Sequence, residues 1–308
     1  MAGKSMQARL IQAALRRFIK PIFAVTADET TELLHARHRF DRLIHWLPAP
    51  RGVQVQPVQL PDLHGEWILP NHPGSRVILY LHGGAYILGS PASHRDLTAA
   101  LATRCNARVF SLDYRLAPEA GFNEWQEDSV RAYQHLLHAG IEAKHILLAG
   151  DSAGGNLVLT TLLRLRDAGI TLPSAAICLS PWTDLTGDNP SMTRNASRDA
   201  MLDAPGIRAL GHYHARTSST QNPYLSPVYG DLRGLPPLLL HVSDQEILFD
   251  DSIHLAEQAQ ACGVKVELRI WPGMPHVFQA FIRYLPEARQ ALEDIKRFAD
   301  THTPQPGL

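Results

Sequence analysis

The chain has 308 residues, enough for one large α/β domain with an accessory element or for two small domains. Apolar residues make up 45% and charged residues 19%, which supplies a full core and leaves no case for a disordered tail. A net charge of −1 gives no basic excess for binding nucleic acid.

In chain order, Met6, Leu10, Ile11, Ala14, Leu15, Phe18 and Ile19 recur at helical spacing, with Arg9, Arg16, Arg17 and Lys20 between them. This predicts an amphipathic helix with a basic face. The helix is expected to pack on its own protein, so membrane contact is not expected; a membrane-surface role is the competing reading. No apolar run approaches the ~20 residues that span a bilayer, and the start does not read as a secretory signal. Cys105, Cys178 and Cys262 are scattered without Cys-x-x-Cys spacing and read as free buried thiols in a reducing, cytoplasmic setting. After a break at Pro21 and Asp28, a second helix is predicted over 29–46, ended by Pro48, Pro50 and Gly52. Two helices before any strand suggest an appended cap over 1–48, with the main domain over 49–308.

Strands follow. The stretches 53–56 and 58–60 alternate apolar and polar, with 65–69 a hairpin partner. The run 76–81 is nearly all apolar, as a central parallel strand is. Helices are predicted over 93–104 and 123–138, and strands over 108–112, 145–149, 175–179, 237–242 and 264–270. The alternation implies an α/β fold with a mostly parallel sheet and helices on both faces. The segment 185–224 breaks this rhythm and reads as an insertion over the site. It holds His212 and His214, read as exposed cap histidines and not as metal ligands, because no acidic ligands adjoin them.

Gly150-Asp151-Ser152-Ala153-Gly154-Gly155 lies between the apolar run 146–149 and the helix-like run 156–163. A bare Gly-x-Ser-x-Gly arises by chance in roughly one chain in ten, but a strand before it and a helix after make it a nucleophile elbow of the α/β-hydrolase type. Side chains at Gly150 and Gly154 would collide with the neighbouring strand and helix. A serine hydroxyl needs a base to take its proton and an acid to orient the base, in the order serine, acid, histidine. His276 follows the last strand in the stiff stretch Trp271-Pro272-Gly273-Met274-Pro275. The acid lies within 244–251. Asp250 and Asp251 begin the next helix, where they cap N–H groups, which leaves Glu246 and Asp244. The loop His82-Gly83-Gly84-Ala85 follows a central strand and offers backbone N–H groups to an oxyanion; Gly83, Gly84 and Ala153 are the expected donors, and His82 pins the loop.

These pieces, with Tyr114-Arg115-Leu116-Ala117-Pro118-Glu119, Ser180-Pro181-Trp182-Thr183-Asp184, Leu235-Pro236-Pro237 and Met274-Pro275-His276, resemble the bacterial hormone-sensitive-lipase family of carboxylesterases. The match runs from Val77 to the C-terminus. Ala85 departs from it where many members have a third glycine, and Glu246 where many have aspartate. The resemblance implies hydrolysis of short-acyl carboxylic esters, without cofactor or metal, by Ser152, Glu246 and His276. The family spacing selects Glu246, since the acid stands two residues before a leucine and four before an aspartate, here Leu248 and Asp250. Members are often homodimers through the last strand and helix. Tyr86, Asp151 and Trp182 are expected beside the pocket. The alternatives are a catalytically inactive small-molecule receptor on the same fold, a membrane-surface lipase, and an amidase or deacetylase using the same triad.

Overall fold

The middle strands are buried along their whole length and mostly apolar because helices cover both faces of the sheet. The computed structural model describes residues 5–44 and 49–303. Its strands are β1 (Val53–Leu60), β2 (Leu63–Pro70), β3 (Val77–Leu81), β4 (Arg108–Leu112), β5 (Ile146–Asp151), β6 (Ala175–Leu179), β7 (Leu238–Val242) and β8 (Val266–Ile270). They form one sheet in the order β1-β2-β4-β3-β5-β6-β7-β8. β1 and β2 pair antiparallel, as do β2 and β4; every later pairing is parallel. β1 runs unbroken through Pro57, where the sequence suggests two strands. It is an edge strand, and an edge tolerates the missing donor.

Alternate residues of β3 face opposite ways. Val77, Leu79 and Leu81 join one core with α5 (Phe122–His138), α6 (Ala153–Asp167) and α9 (Phe249–Ala261). Ile78 and Tyr80 join the other, under α4 (Pro91–Arg104) and α10 (Pro286–His302). Cys105 and Cys178 are buried, whereas Cys262, at the C-terminal end of α9, is only half-buried. Among the described residues no helix is long and apolar enough to cross a membrane.

Three helices precede the sheet: α1 (Met6–Phe18), α2 (Lys20–Phe23) and α3 (Thr30–Ile44). The predicted end of the last, at Trp46, and Pro48 lie outside the described residues. α1 is turned differently from the expectation. It buries Ala8, Gln12 and Leu15, while Met6, Leu10 and Phe18 are 73%, 65% and 54% exposed. Polar anchors set this rotation. Gln12 Nε2 donates to the Gly273 carbonyl at 2.7 Å, and Ser5 Oγ donates to Glu287 at 3.2 Å. Ala8 is small enough to sit against Met274 and Phe278 at full burial.

The 185–224 segment joins β6 to β7 and contains α7 (Pro190–Arg194) and α8 (Ala204–His214). Asp250 and Asp251 do not cap their own helix as expected. Asp251 accepts the N–H groups of Thr183 and Asp184 at 2.8 and 2.9 Å, and Asp250 accepts that of Ser191 at 2.8 Å. The first turn of α9 therefore holds the start of the 185–224 segment. Burial, with Asp184 nearby, pushes the Asp251 carboxyl up to about 8.

Candidate active site

Ser152 stands between β5 and α6 with φ 53° and ψ −121°, a strained conformation for a non-glycine residue. Three backbone hydrogen bonds hold it: its N–H to the Leu179 carbonyl at 2.8 Å, and its carbonyl to the N–H groups of Asn156 and Trp182, both at 3.1 Å. Glycine is required on both sides. A Cβ on Gly150 would lie 2.5 Å from the Gly154 carbonyl oxygen, and one on Gly154 would lie 2.0 Å from that of Leu81.

His276 and Glu246 meet in a buried pair, His276 Nδ1 to Glu246 Oε2 at 2.6 Å. The other carboxylate oxygen accepts the Ser243 N–H at 2.6 Å and the Ser180 hydroxyl at 2.9 Å. Both oxygens are thus occupied by donors, which fixes the carboxylate and places the imidazole proton on Nδ1. Burial alone would lower the His276 pKa, but the adjoining Glu246 charge and hydrogen bond outweigh it and hold it above the usual histidine range. His276 Nε2 is buried and has no hydrogen-bond partner among the described residues. Asp244 is elsewhere: its Oδ1 accepts the Gly273 N–H at 2.7 Å and so braces the stretch that presents His276.

The loop after β3 corrects one expected donor. The Gly83 N–H is committed to Asp151 Oδ1 at 3.1 Å, so it is not free for an oxyanion. The N–H groups of Gly84 and Ala85 have no acceptor among the described residues, and Ala153, first in α6, has none within its helix. Every carbonyl from His82 to Ile87 is meanwhile held. Tyr114 Oη donates to His82 O at 2.7 Å, His82 Nδ1 to Gly83 O at 2.9 Å, and Ile87 N to Gly84 O at 3.1 Å. His214 Nε2 donates to Ala85 O at 2.9 Å, Ala117 N to Tyr86 O at 2.8 Å, and Arg37 Nε to Ile87 O at 2.8 Å. These clamps sustain positive φ at Ala85 and Tyr86, 51° and 62°. Burial lowers His82 to about 3 and His214 to about 4, so each is a neutral ring with one N–H to give. His214 is buried, not the exposed cap residue expected, because it packs edge-on against Tyr86 and Trp125.

Asp151 is buried next to Ser152 in the chain. It accepts Tyr80 Oη at 2.5 Å and lies 3.4 Å from His94 Nε2. Burial would raise its pKa, yet His94 and Tyr80 hold it below the usual carboxylate range. The sequence motif contains Asp151 but gives no sign of Tyr80, His94, Ser180 or His214 as its neighbours or supports. They arrive from distant segments, and only the His212–His214 cluster stands out locally.

A cavity of about 290 Å³ joins these groups. Ser152, His276, Asp151 and Gly84 line it, with an apolar wall from Leu15, Ile19, Phe23, Phe40, Leu43, Met201 and Tyr284. Tyr86 and Trp182 do not line it, contrary to expectation. Tyr86 stacks on Trp125 at 4.0 Å and bonds Asn156, and the Trp182 indole N–H is spent on the Asp184 carbonyl at 3.1 Å. No hydrogen bond joins Ser152 Oγ to His276 Nε2; such bonds are often long before substrate binds.

Residues 78–280 match the α/β-hydrolase-fold family model. The chain is 43% identical over 238 residues to an acetyl-hydrolase of Streptomyces hygroscopicus, covering 77% of this chain and 80% of that one. It is 40% identical over 260 residues to an esterase of Acinetobacter venetianus, covering 84% and 86%. A crystal structure of an esterase from the bacterial hormone-sensitive-lipase family superposes with a TM-score of 0.90 at 36% identity, covering 98% of this chain and all of that one.

Proposed function

The chain belongs to the α/β-hydrolase family that includes the bacterial hormone-sensitive-lipase esterases and is a carboxylic ester hydrolase, and from that premise we propose that it cleaves short-acyl esters with a Ser152–His276–Glu246 triad through an acyl-enzyme. Ser152 Oγ attacks the ester carbonyl while His276 Nε2 takes its proton. The N–H groups of Gly84, Ala85 and Ala153 hold the oxyanion. Collapse of this intermediate returns the proton from His276 to the leaving alcohol. Water then gives a proton to His276 and attacks the acyl carbonyl, and His276 passes that proton to Ser152 Oγ as the acyl–oxygen bond breaks and the acid leaves. Glu246 holds the imidazole tautomer and supports its positive charge. The chemistry calls for no metal or cofactor.

The observation that carries this reading is the buried His276–Glu246 pair, with Nε2 left unbonded in the cavity that Ser152 lines. About 290 Å³ is at the small end of ligand pockets, which favours acetyl to hexanoyl groups over decanoyl and longer. The helices before β1 and the 185–224 segment act as the cap: Leu15, Phe40 and Met201 from them wall the cavity. The test is Ser152→Ala, expected to lower kcat on an aryl butyrate by on the order of 10⁶ with the fold intact. A phosphonate ester is expected to label Ser152 alone. Residual activity within tenfold of the parent would end the assignment, and kcat/KM rising steadily to palmitoyl esters would end the short-acyl reading.

A further inference from the structure

α1 faces outward with the side chains an amphipathic helix normally hides. Eight large apolar residues are exposed among the described ones, and five of them, Met6, Leu10, Phe18, Leu43 and Tyr284, lie on α1 or on the cavity wall. The same helix supplies Leu15 to that wall, so its exposed face and the cavity are two sides of one element. α1 carries Arg9, Arg16 and Arg17 and no acidic residue. Arg16, though exposed, is tied to its own protein by donating to the Arg198 carbonyl at 2.9 Å. Arg9 and Arg17 are exposed. At 3.6 residues per turn, Met6, Arg17 and Leu10 fall within about 40° of one another, so the charge sits amid the apolar surface.

That mixture decides what covers the face. In a two-fold dimer the same patch meets itself, and Arg17 of each copy would enter a desolvated interface with no carboxylate from α1 to meet it. An anionic lipid surface suits both parts. The apolar side chains enter the acyl boundary, and the arginines extend to the headgroups. We propose that the outer face of α1 docks this protein on an anionic lipid–water interface. The docking stands independently of the hydrolytic reading.

Vesicles of ether-linked phospholipid contain no carboxylic ester, so they separate binding from turnover. The full chain is expected to co-sediment at least tenfold better with vesicles carrying about 30% phosphatidylserine analogue than with phosphatidylcholine analogue alone. Arg9→Gln with Arg17→Gln should weaken binding about 30-fold, from about fivefold per arginine. The triple change Met6→Ser, Leu10→Ser and Phe18→Ser should abolish it. Both variants should hydrolyse a water-soluble aryl butyrate at the parent rate, since none of these residues lines the cavity. No sedimentation, equal sedimentation on neutral vesicles, or indifference to both sets of changes would overturn the proposal. So would a dimer in solution that the triple variant dissociates, without lipid binding. A parent protein that binds vesicles but does not cleave the soluble ester would sink the hydrolytic reading and leave the docking intact.

Discussion

Replacing Glu246 by glutamine changes almost no volume, yet the surrounding donors dictate how the amide must sit. One oxygen position faces the Ser243 N–H at 2.6 Å and the Ser180 hydroxyl at 2.9 Å. The Ser243 N–H can only donate, so the glutamine oxygen must stay there. Its NH₂ group then faces His276 Nδ1, where the carboxylate stood at 2.6 Å. Nδ1 must accept in place of donating, and the proton moves to Nε2, the atom proposed to receive the serine proton. The equivalent tautomer error in a comparable triad costs roughly 10⁴ in kcat, about 5 kcal/mol of transition-state stabilisation. The assay is kcat and kcat/KM on an aryl butyrate, with a thermal melt to show that the fold survives. The pH profile gives a second reading. In the proposed mechanism His276 must be neutral to act, so activity is expected above its pKa and is lost as pH falls through it. Burial lowers that pKa and Glu246 more than restores it, so removing the charge moves the acidic limb of the residual activity to lower pH. A kcat within tenfold of the parent, or an unmoved acidic limb, would refute the role given to Glu246.

Asp244→Asn should leave kcat within about threefold and lower Tm by about 2–4 °C, the effect of weakening one brace on Gly273 in a chain of this size; a loss of kcat comparable to that of Glu246→Gln would reverse the two acids. His214→Ala should cut kcat by ~10² with KM nearly unchanged, because it frees the Ala85 carbonyl and lets the adjoining N–H groups drift. Affinity for a boronic-acid transition-state analogue should fall in step, and an unchanged analogue affinity would make His214 merely structural. Gly154→Ala should fail to give a folded protein by circular dichroism, since its Cβ would lie 2.0 Å from the Leu81 oxygen; a variant melting within a few degrees of the parent would contradict the packing described for the elbow.

The sheet was legible because its middle strands must be apolar on both faces, so runs such as Val77–Leu81 and Ala175–Leu179 stand out at any reading. The elbow was legible because two glycines and a strained serine leave little choice of residue. Chain order and family spacing point to His276 and Glu246, and the structure brings these two side chains together. What stayed hidden depends on side chains from distant segments. The glycine pair after β3 announces free N–H groups, but only the Asp151 carboxylate, reaching across from β5, decides that Gly83 is not one of them. The rotation of α1 was misread for a related reason. Periodicity finds an apolar stripe, whereas Gln12 and its bond to Gly273 determine which side faces in. Tyr86 and Trp182 lie close in sequence to functional motifs, but proximity in sequence says nothing of which way a ring points.

The clamps on the His82–Ile87 carbonyls have a bearing on how such a protein can change. Arg37 belongs to the helices before the sheet, Tyr114 to the loop after β4, and His214 to the segment between β6 and β7. The parts of the chain that give the cavity its shape therefore also hold the backbone proposed to meet the negative charge. Transplanting a foreign lid onto this sheet would alter substrate preference and turnover together unless an equivalent arginine and histidine came with it. A chimera could keep the serine, histidine and glutamate in register and still be slow. Recombination of this chain with a relative is then constrained less by the proposed triad than by these two donors, and a library that retains them as fixed positions should contain more active members than one that shuffles the lids freely.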